Sequence, residues 1–287
     1  MGEISLKNAL RMERYRLDSK QKVSLKSWNP NDTSGFDGDE TAAEVELKKL
    51  RHKLDALQEM LFIEGKRSVL IILQAMDTGG KDGTIRRVFE GVNPTGVKVA
   101  HFQQPSQEEL SHDFLWRVHK QVPAKGELVI FNRSHYESVL VERVHKLVGR
   151  KTWHRRYKLI NGFERELSEG GTTLLKFYLN IDRNEQKKRL EERMADPTKR
   201  WKFSLSDESE RKLWPEYMKA YEDALGETST AWAPWYIVPS NHKWYRDLMV
   251  AVVIVKTMEK FHMKYPELPM GTSHERSSKA RTKSPEG

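Results

Sequence analysis

The sequence predicts an α/β fold, with a parallel sheet covered by helices on both faces, and three observations carry that expectation. Residues 68–73 are an unbroken run of aliphatic and β-branched side chains. The run is too short for a helix and lacks polar alternation, as in a strand buried on both faces. Further runs of strand character at 97–102, 128–131, 173–181 and 235–238 alternate with segments of helical periodicity. A short glycine-rich turn joins the first run to the helix after it, the tight connection that a strand-to-helix unit needs.

Taken in order, residues 1–40 are polar and turn-rich, with Pro30, Gly35 and Gly38, and are expected as an extended arm lying on one domain of residues 41–267. Thr41 and Glu44 have capping-box spacing, and Leu47, Leu50, Leu54, Leu57 and Leu61 follow on one helical face until Gly65. That stripe is a packing face, with helix pairing between subunits left open. A helical pattern spans 84–89, and Ser106 with Glu109 opens a helix expected to reach about residue 121. The strand at 128–131 ends in Asn132, Arg133, Ser134, His135, Tyr136 and Glu137, polar residues delivered where open α/β sheets bind ligands. Helices are expected over 136–147 and 153–167, after Asp182, and over 242–265. Residues 195–212 break the alternation: they are polar, basic in their first half, and expected as a loop-like lid. Residues 268–287 are expected as a disordered tail.

Composition narrows the chemistry. The 287 residues contain no cysteine, which excludes disulfides and thiolate metal sites and is compatible with a cytoplasmic protein. No apolar run is long enough to span a bilayer, so no membrane association is expected. Fifty Lys and Arg against 41 Asp and Glu leave a formal charge of +9, which favours polyanionic partners.

The turn after residue 73 holds Asp77, Thr78, Gly79, Gly80, Lys81, Asp82, Gly83 and Thr84. Glycines there let backbone N–H groups converge, and Lys81 with the positive end of the next helix adds charge, a nest for phosphate oxygens. Against the usual pattern, Ala75 stands in place of the first glycine and Asp82 in place of the hydroxyl residue. Taken alone, the stretch also reads as an ordinary strand-to-helix turn. Asp77 and Asp82 beside bound phosphate make electrostatic sense if Mg²⁺ lies between, or if a carboxylate takes a proton from an attacking hydroxyl; for Asp77 a turn-forming role is the alternative. Arg189, Arg193, Lys199, Arg200 and Lys202 could close over a phosphate chain and exclude water, although any one arginine also reads as the exposed face of a helix. His135 is a core residue or a base. The tryptophans from Trp201 to Trp244 read as packing residues of the lid and the last helices.

These motifs resemble those of the polyphosphate kinase 2 family. Residues 77–84 resemble its Walker A segment, 131–137 its Walker B segment and 197–202 its lid, and the likeness extends over about residues 28–266. The resemblance implies a three-layer P-loop kinase fold with a five-stranded parallel sheet and a helical lid. The implied activity is reversible, Mg²⁺-dependent phosphoryl transfer from inorganic polyphosphate to nucleotides, with Mn²⁺ as a substitute ion. It implies catalytic roles for Asp77, Lys81, Asn132, Arg133 and Arg193, and phosphate contacts from Gly79, Gly80, Asp82, Gly83, Thr84, Lys199, Arg200 and Lys202. Family members often have Asp-Arg-Ser where this chain has Asn132, Arg133 and Ser134, so Glu137 is expected to join Asp77 as a metal ligand. The variant resembles class III members, implying AMP and ADP as acceptors, ATP as a product, guanine nucleotides as further substrates, and a homo-dimer or tetramer. A nucleotide kinase using ATP as donor and a nucleic-acid-binding protein are the competing readings, the latter resting only on the basic and aromatic residues at 199–202.

Overall fold

The computed structural model describes residues 12–19, 21–198, 200–202 and 206–265. Within them lie strands β1 (Ser68–Gln74), β2 (Val97–His101), β3 (Leu128–Asn132), β4 (Thr172–Asn180) and β5 (Trp235–Pro239). The helices are α1 (Glu40–Glu64), α2 (Lys81–Val88), α3 (Gln107–Ser111), α4 (Trp116–His119), α5 (Val141–Val144), α6 (Arg150–Glu169), α7 (Arg183–Ala195), α8 (Ser206–Lys212), α9 (Trp214–Thr228) and α10 (Lys243–Glu259). The strands form one parallel sheet in the order β2-β3-β1-β4-β5. The expected α/β fold with a five-stranded parallel sheet is therefore present.

β1 is central, and every residue in it is buried. Its side chains alternate between two cores, as the pleat requires. Val69, Ile71 and Leu73 pack in one with the leucine stripe of α1 and with α10, while Leu70 and Ile72 pack in the other with Tyr157, Ile160 and Phe163 of α6 and Ala220 and Leu225 of α9. The apolar run of α10 is buried from Tyr245 to Val255, because it lies between the sheet and α1. The order places β1 beside β3, and the connection after β1 runs to one side of the sheet, to β2, while the connection after β3 runs to the other, to β4. Such a switch point opens a crevice at the carboxyl ends of the strands.

Residues 12–19 and 21–39 run along the β5 side. Leu17 N donates to Trp235 O at 2.8 Å, Arg16 bridges Tyr236 in antiparallel fashion, and Tyr15 Oη lies 2.6 Å from Tyr245 Oη. The edge of β5 is thereby partly covered.

Several local expectations are corrected. Helix α1 is capped by Asp39, whose Oδ1 accepts from Ala42 N at 2.9 Å, and not by Thr41; the aspartate reaches the free N–H groups earlier in the chain. The Ser106 capping box exists, but the helix stops at Ser111 because Asp113 draws Leu115 N into a local turn before α4. In place of a helix over 136–147 there are a 3-10 turn, His135–Ser138, and the short α5. The segment taken for a loop at 195–212 contains α8 and a 3-10 turn at Arg200–Lys202. Helix α9 was not anticipated, although Pro215 in its first turn and the spacing of Tyr217, Ala220, Tyr221, Ala224 and Leu225 are helix signals.

Candidate active site

Between β1 and α2 the backbone folds round on itself. Gly79 N donates to Met76 O at 2.9 Å, and a Cβ on Gly79 would meet that carbonyl at 2.8 Å. Gly80 caps α2 with φ +105°, a conformation open to glycine, and Thr78 is left-handed with φ 63°. Lys81 begins α2 and turns its ammonium back into the loop, donating to Ala75 O at 2.8 Å. Burial lowers the Lys81 pKa and the Arg133 charge lowers it further, against the nearby carboxylates of Asp77, Glu137 and Asp82.

Two buried arginines support this loop from behind, and sequence reasoning gave neither that role. Arg189 was read as a lid arginine or an exposed helix residue; it is 6% exposed and donates to Thr78 O, Gly79 O, Ser240 O and Asn241 O, with its Nε on Glu185. Arg246 is ion-paired to Asp247, and its guanidinium fills the space that a Cβ on Gly80 would need. A charged residue just before the apolar stretch of α10 was the available signal.

Opposite the loop, β3 delivers the next groups. Asn132 is 4% exposed and donates from Nδ2 to Asp82 Oδ1 at 2.6 Å, so Asp82 is held toward the strand. An aspartate at 132 would set two carboxylates against each other; asparagine is the complementary partner for the acid in α2. Arg133 has φ 62° and donates to Asp77 Oδ1 at 2.9 Å, with Glu137 Oε2 at 3.9 Å from its other terminal nitrogen. Burial works against the Arg133 charge, but the Glu137 and Asp77 carboxylates outweigh it and raise its pKa. Burial raises the Glu137 pKa, partly offset by Arg133 and Lys81.

Asp77, Arg133, Glu137 and Arg193 share one cleft of about 530 Å³, lined also by Met76, Gln104, His145, Glu210, Tyr217 and Tyr221. The last five polar residues were missed because they come from four separate segments whose convergence only the fold provides. His145 lies 3.0 Å from Glu210, and Tyr217 Oη donates to the same carboxylate at 2.8 Å. Other expected residues fall elsewhere. Thr84 is 1% exposed, inside α2 and off the cleft wall, and Gly83 faces Arg246. Arg200 is exposed and donates to Met194 O; Lys199 and the side chain of Lys202 lie outside the described residues. His135 is a core residue rather than a base facing the cleft. Trp235 is buried as expected of a packing residue, whereas Trp201 is 78% exposed.

Among the described residues, no three or more His, Asp or Glu side chains are grouped to hold a metal ion. Asp77 and Glu137, on either side of one guanidinium, are two carboxylates beside the glycine loop. That donor set suits Mg²⁺, which keeps much of its water and takes one or two carboxylates together with phosphate oxygens. No helix among the described residues is long and apolar enough to cross a membrane.

A phosphate-type loop, a buried lysine, and acid and arginine groups thus lie together at one switch point, and known proteins resemble this chain over nearly all of that framework. An AMP/ADP-polyphosphate phosphotransferase from Meiothermus ruber is 54% identical over 256 residues, covering 89% of this chain and 96% of the relative. An ADP-polyphosphate phosphotransferase from Rhodopseudomonas palustris is 40% identical, covering 90% and 93%. The crystal structure of polyphosphate kinase 2 from Arthrobacter aurescens TC1 superposes with a TM-score of 0.88 at 42% identity, covering 93% and 95%. The polyphosphate kinase 2 (PPK2) family model matches residues 37–266, a span that contains the glycine loop, the acid–arginine cluster and all five strands, and the chain belongs to that family.

Proposed function

We propose that this protein transfers phosphoryl groups from inorganic polyphosphate to AMP and ADP, giving ADP and ATP, at the cleft between the Ala75–Lys81 turn and Arg133. The observation that carries this reading is the convergence of Asp77, Arg133, Glu137 and Arg193 on one cleft beside the glycine loop, in a chain of this family. Acceptance of both mono- and diphosphate, as in class III members, accords with the name of the Meiothermus relative. Guanine nucleotides are proposed as further acceptors.

Phosphoryl transfer asks a protein for position and for stabilisation of charge spread over equatorial oxygens. The Gly79–Gly80 backbone and the Lys81 ammonium would bind terminal phosphates. Lys81 must then leave Ala75 O, exchanging a carbonyl for an anion. Arg133 and Arg193 approach the cleft from β3 and α7, and would bear on the moving group. Asp77 and Glu137 would hold Mg²⁺, which neutralises phosphate charge and orients the oxygens. Arg133, held here by Asp77 and Glu137, would turn from those carboxylates toward the phosphoryl group. Because the bond broken in polyphosphate and the bond formed in ADP or ATP are both phosphoanhydrides, concentration should set the direction of net transfer.

The test is nucleotide turnover followed by chromatography with AMP or ADP, polyphosphate and Mg²⁺. Wild type should convert AMP to ADP and then ATP, Lys81→Ala should be inactive, and Glu137→Asn should lose mainly the AMP step. Folded wild type that forms no ATP from either nucleotide would refute the proposal.

A further inference from the structure

Beneath the cleft, and separate from it, lies a sealed polar network. Lys176 of β4 is 0% exposed, and its ammonium donates to Glu164 Oε2 at 2.6 Å, Thr228 O at 2.7 Å and Tyr136 Oη at 3.0 Å. Those bonds use all three of its donors. Glu164 of α6 is also 0% exposed, and its Oε1 accepts from Tyr136 Oη at 2.7 Å and lies 3.2 Å from His135 Nε2. Trp235 of β5 donates to Thr228 Oγ1 at 2.9 Å. His135 Nδ1 is buried with no partner, which assigns the ring proton to the nitrogen facing Glu164.

The network grips two consecutive residues, His135 and Tyr136. On their N-terminal side is Arg133, in a left-handed conformation that non-glycine residues adopt at a cost; on their C-terminal side is Glu137. Ser134 completes the clamp, accepting from Gln74 Nε2 at 3.0 Å and from Tyr136 N at 3.2 Å. A conformation of that kind persists only where surrounding contacts over-determine it. Nothing in the reaction itself calls for a buried lysine–glutamate pair, and apolar residues would fill the same space.

We propose that Glu164, Lys176 and Tyr136 are positioning residues: by fixing the His135–Tyr136 pair in the core they hold Arg133 and Glu137 at the cleft in the geometry that transfer requires. This rests on the assignment of Arg133 and Glu137 to the reaction. No side-chain hydrogen bond of Lys176, Glu164 or Tyr136 reaches a cleft residue, and the effect of the network passes through the backbone of residues 133–137. Losing it should therefore reduce kcat more than it changes the KM for nucleotide, which the glycine loop also sets.

The test begins with wild type and Lys81→Ala in the polyphosphate assay. If wild type is inactive, the functional assignment fails, and the positioning role falls with it; if it is active, the network variants decide the inference alone. Tyr136→Phe keeps the ring and removes one hydroxyl. It should lower kcat about 10-fold with KM within about twofold, assayed well below its melting temperature. Glu164→Leu/Lys176→Met replaces the pair by apolar groups; it should keep a wild-type melting temperature within a few degrees and still lose kcat. If that double variant does not fold, Tyr136→Phe carries the test. On an Arg133→Lys background, Tyr136→Phe should cost little more, since the group it positions is already changed. Full kcat in the folded variants, or a Tyr136→Phe loss that is undiminished on the Arg133→Lys background, overturns the inference.

Discussion

The cleft and the buried network use similar side chains and lie on either side of one six-residue stretch, yet they solve opposite problems. In the network, the three donors of Lys176 and both oxygens of Glu164 have partners, and both side chains are fully buried. In the cleft, Arg133 has one close carboxylate at 2.9 Å and a second at 3.9 Å, and Lys81 rests on main-chain carbonyls. A satisfied set of charges is structure; a set whose partners are provisional can trade them for a ligand. The contrast teaches which buried charges belong to the reaction. Burial alone does not tell, because Lys81, Glu137, Lys176 and Glu164 are all withdrawn from water to some degree.

The comparison breaks most visibly if the network is halved. Glu164→Leu by itself leaves the Lys176 ammonium buried without its counter-charge, and should cost about 3–5 kcal/mol of unfolding free energy. Denaturant titration of that variant beside Glu164→Leu/Lys176→Met measures it. The double variant should recover most of the loss, and a single variant as stable as wild type would show that the pair is not the tight unit its geometry implies.

On the cleft side the loss should appear in rate and not in stability. Arg133→Ala removes a cation aimed at the moving phosphoryl group, and should lower kcat by about 10²–10³-fold. Its melting temperature should change little, since the guanidinium is 39% exposed and its ion pairs with Asp77 and Glu137 are partly screened by water. Steady-state kinetics with polyphosphate in excess, read beside a thermal melt, separates the two quantities. A destabilised Arg133→Ala with normal kcat would place this residue with the network.

How far this division could be read from sequence depends on the residue. The sheet, its central strand and the glycine turn were legible, because buried strands and phosphate turns have local signatures in residues 68–84. Asp77, Arg133 and Glu137 were legible by resemblance. The alternation within 132–137 was not: Asn132, Arg133 and Glu137 face the helix and cleft while Ser134, His135 and Tyr136 turn inward, and a 3-10 turn after a left-handed residue has neither strand nor helix period. Arg189 shows the same limit. One face of α7 carries Arg189 and Arg193 one turn apart, and only the docking of α7 on the glycine loop buries the first and leaves the second at the cleft. Glu210 and His145 meet across 65 residues, a pairing without local trace.

Gly80 offers a smaller test, on the glycine loop beside the cleft. Alanine there must adopt φ near +105° and push Arg246 from its ion pair with Asp247. The expected cost is about 1–3 kcal/mol of stability, together with weaker phosphate binding. Gly83→Ala is the control, because its Cβ would lie 3.4 Å from Arg246 in ordinary helical backbone. Equal effects at both positions would mean that Arg246 yields easily and that the φ requirement is minor.

The finest distinction is the sign of the pH response. Burial raises the Glu137 pKa above its ordinary 4.5, so the folded protein holds that proton more tightly than the unfolded chain. The stability it contributes is complete below pH 4.5 and is lost as pH rises through the elevated folded pKa. His135 runs the other way. Burial lowers its pKa below 6.5, so the unfolded chain takes the proton first and stability falls as pH drops from 6.5 toward the depressed value. Glu164, whose pKa Lys176 and His135 lower against the effect of burial, adds a loss of the same sign below pH 4.5. Between pH 4.5 and 6.5 the cleft and the network therefore pull in opposite directions. Melting curves of Glu137→Gln and His135→Gln, each subtracted from wild type at every pH, should slope with opposite signs. Parallel slopes would remove the electrostatic basis for separating the two regions. Opposed slopes would show that one 3-10 turn holds an acid strained toward protonation on its outer side and a histidine held neutral within, two residues apart.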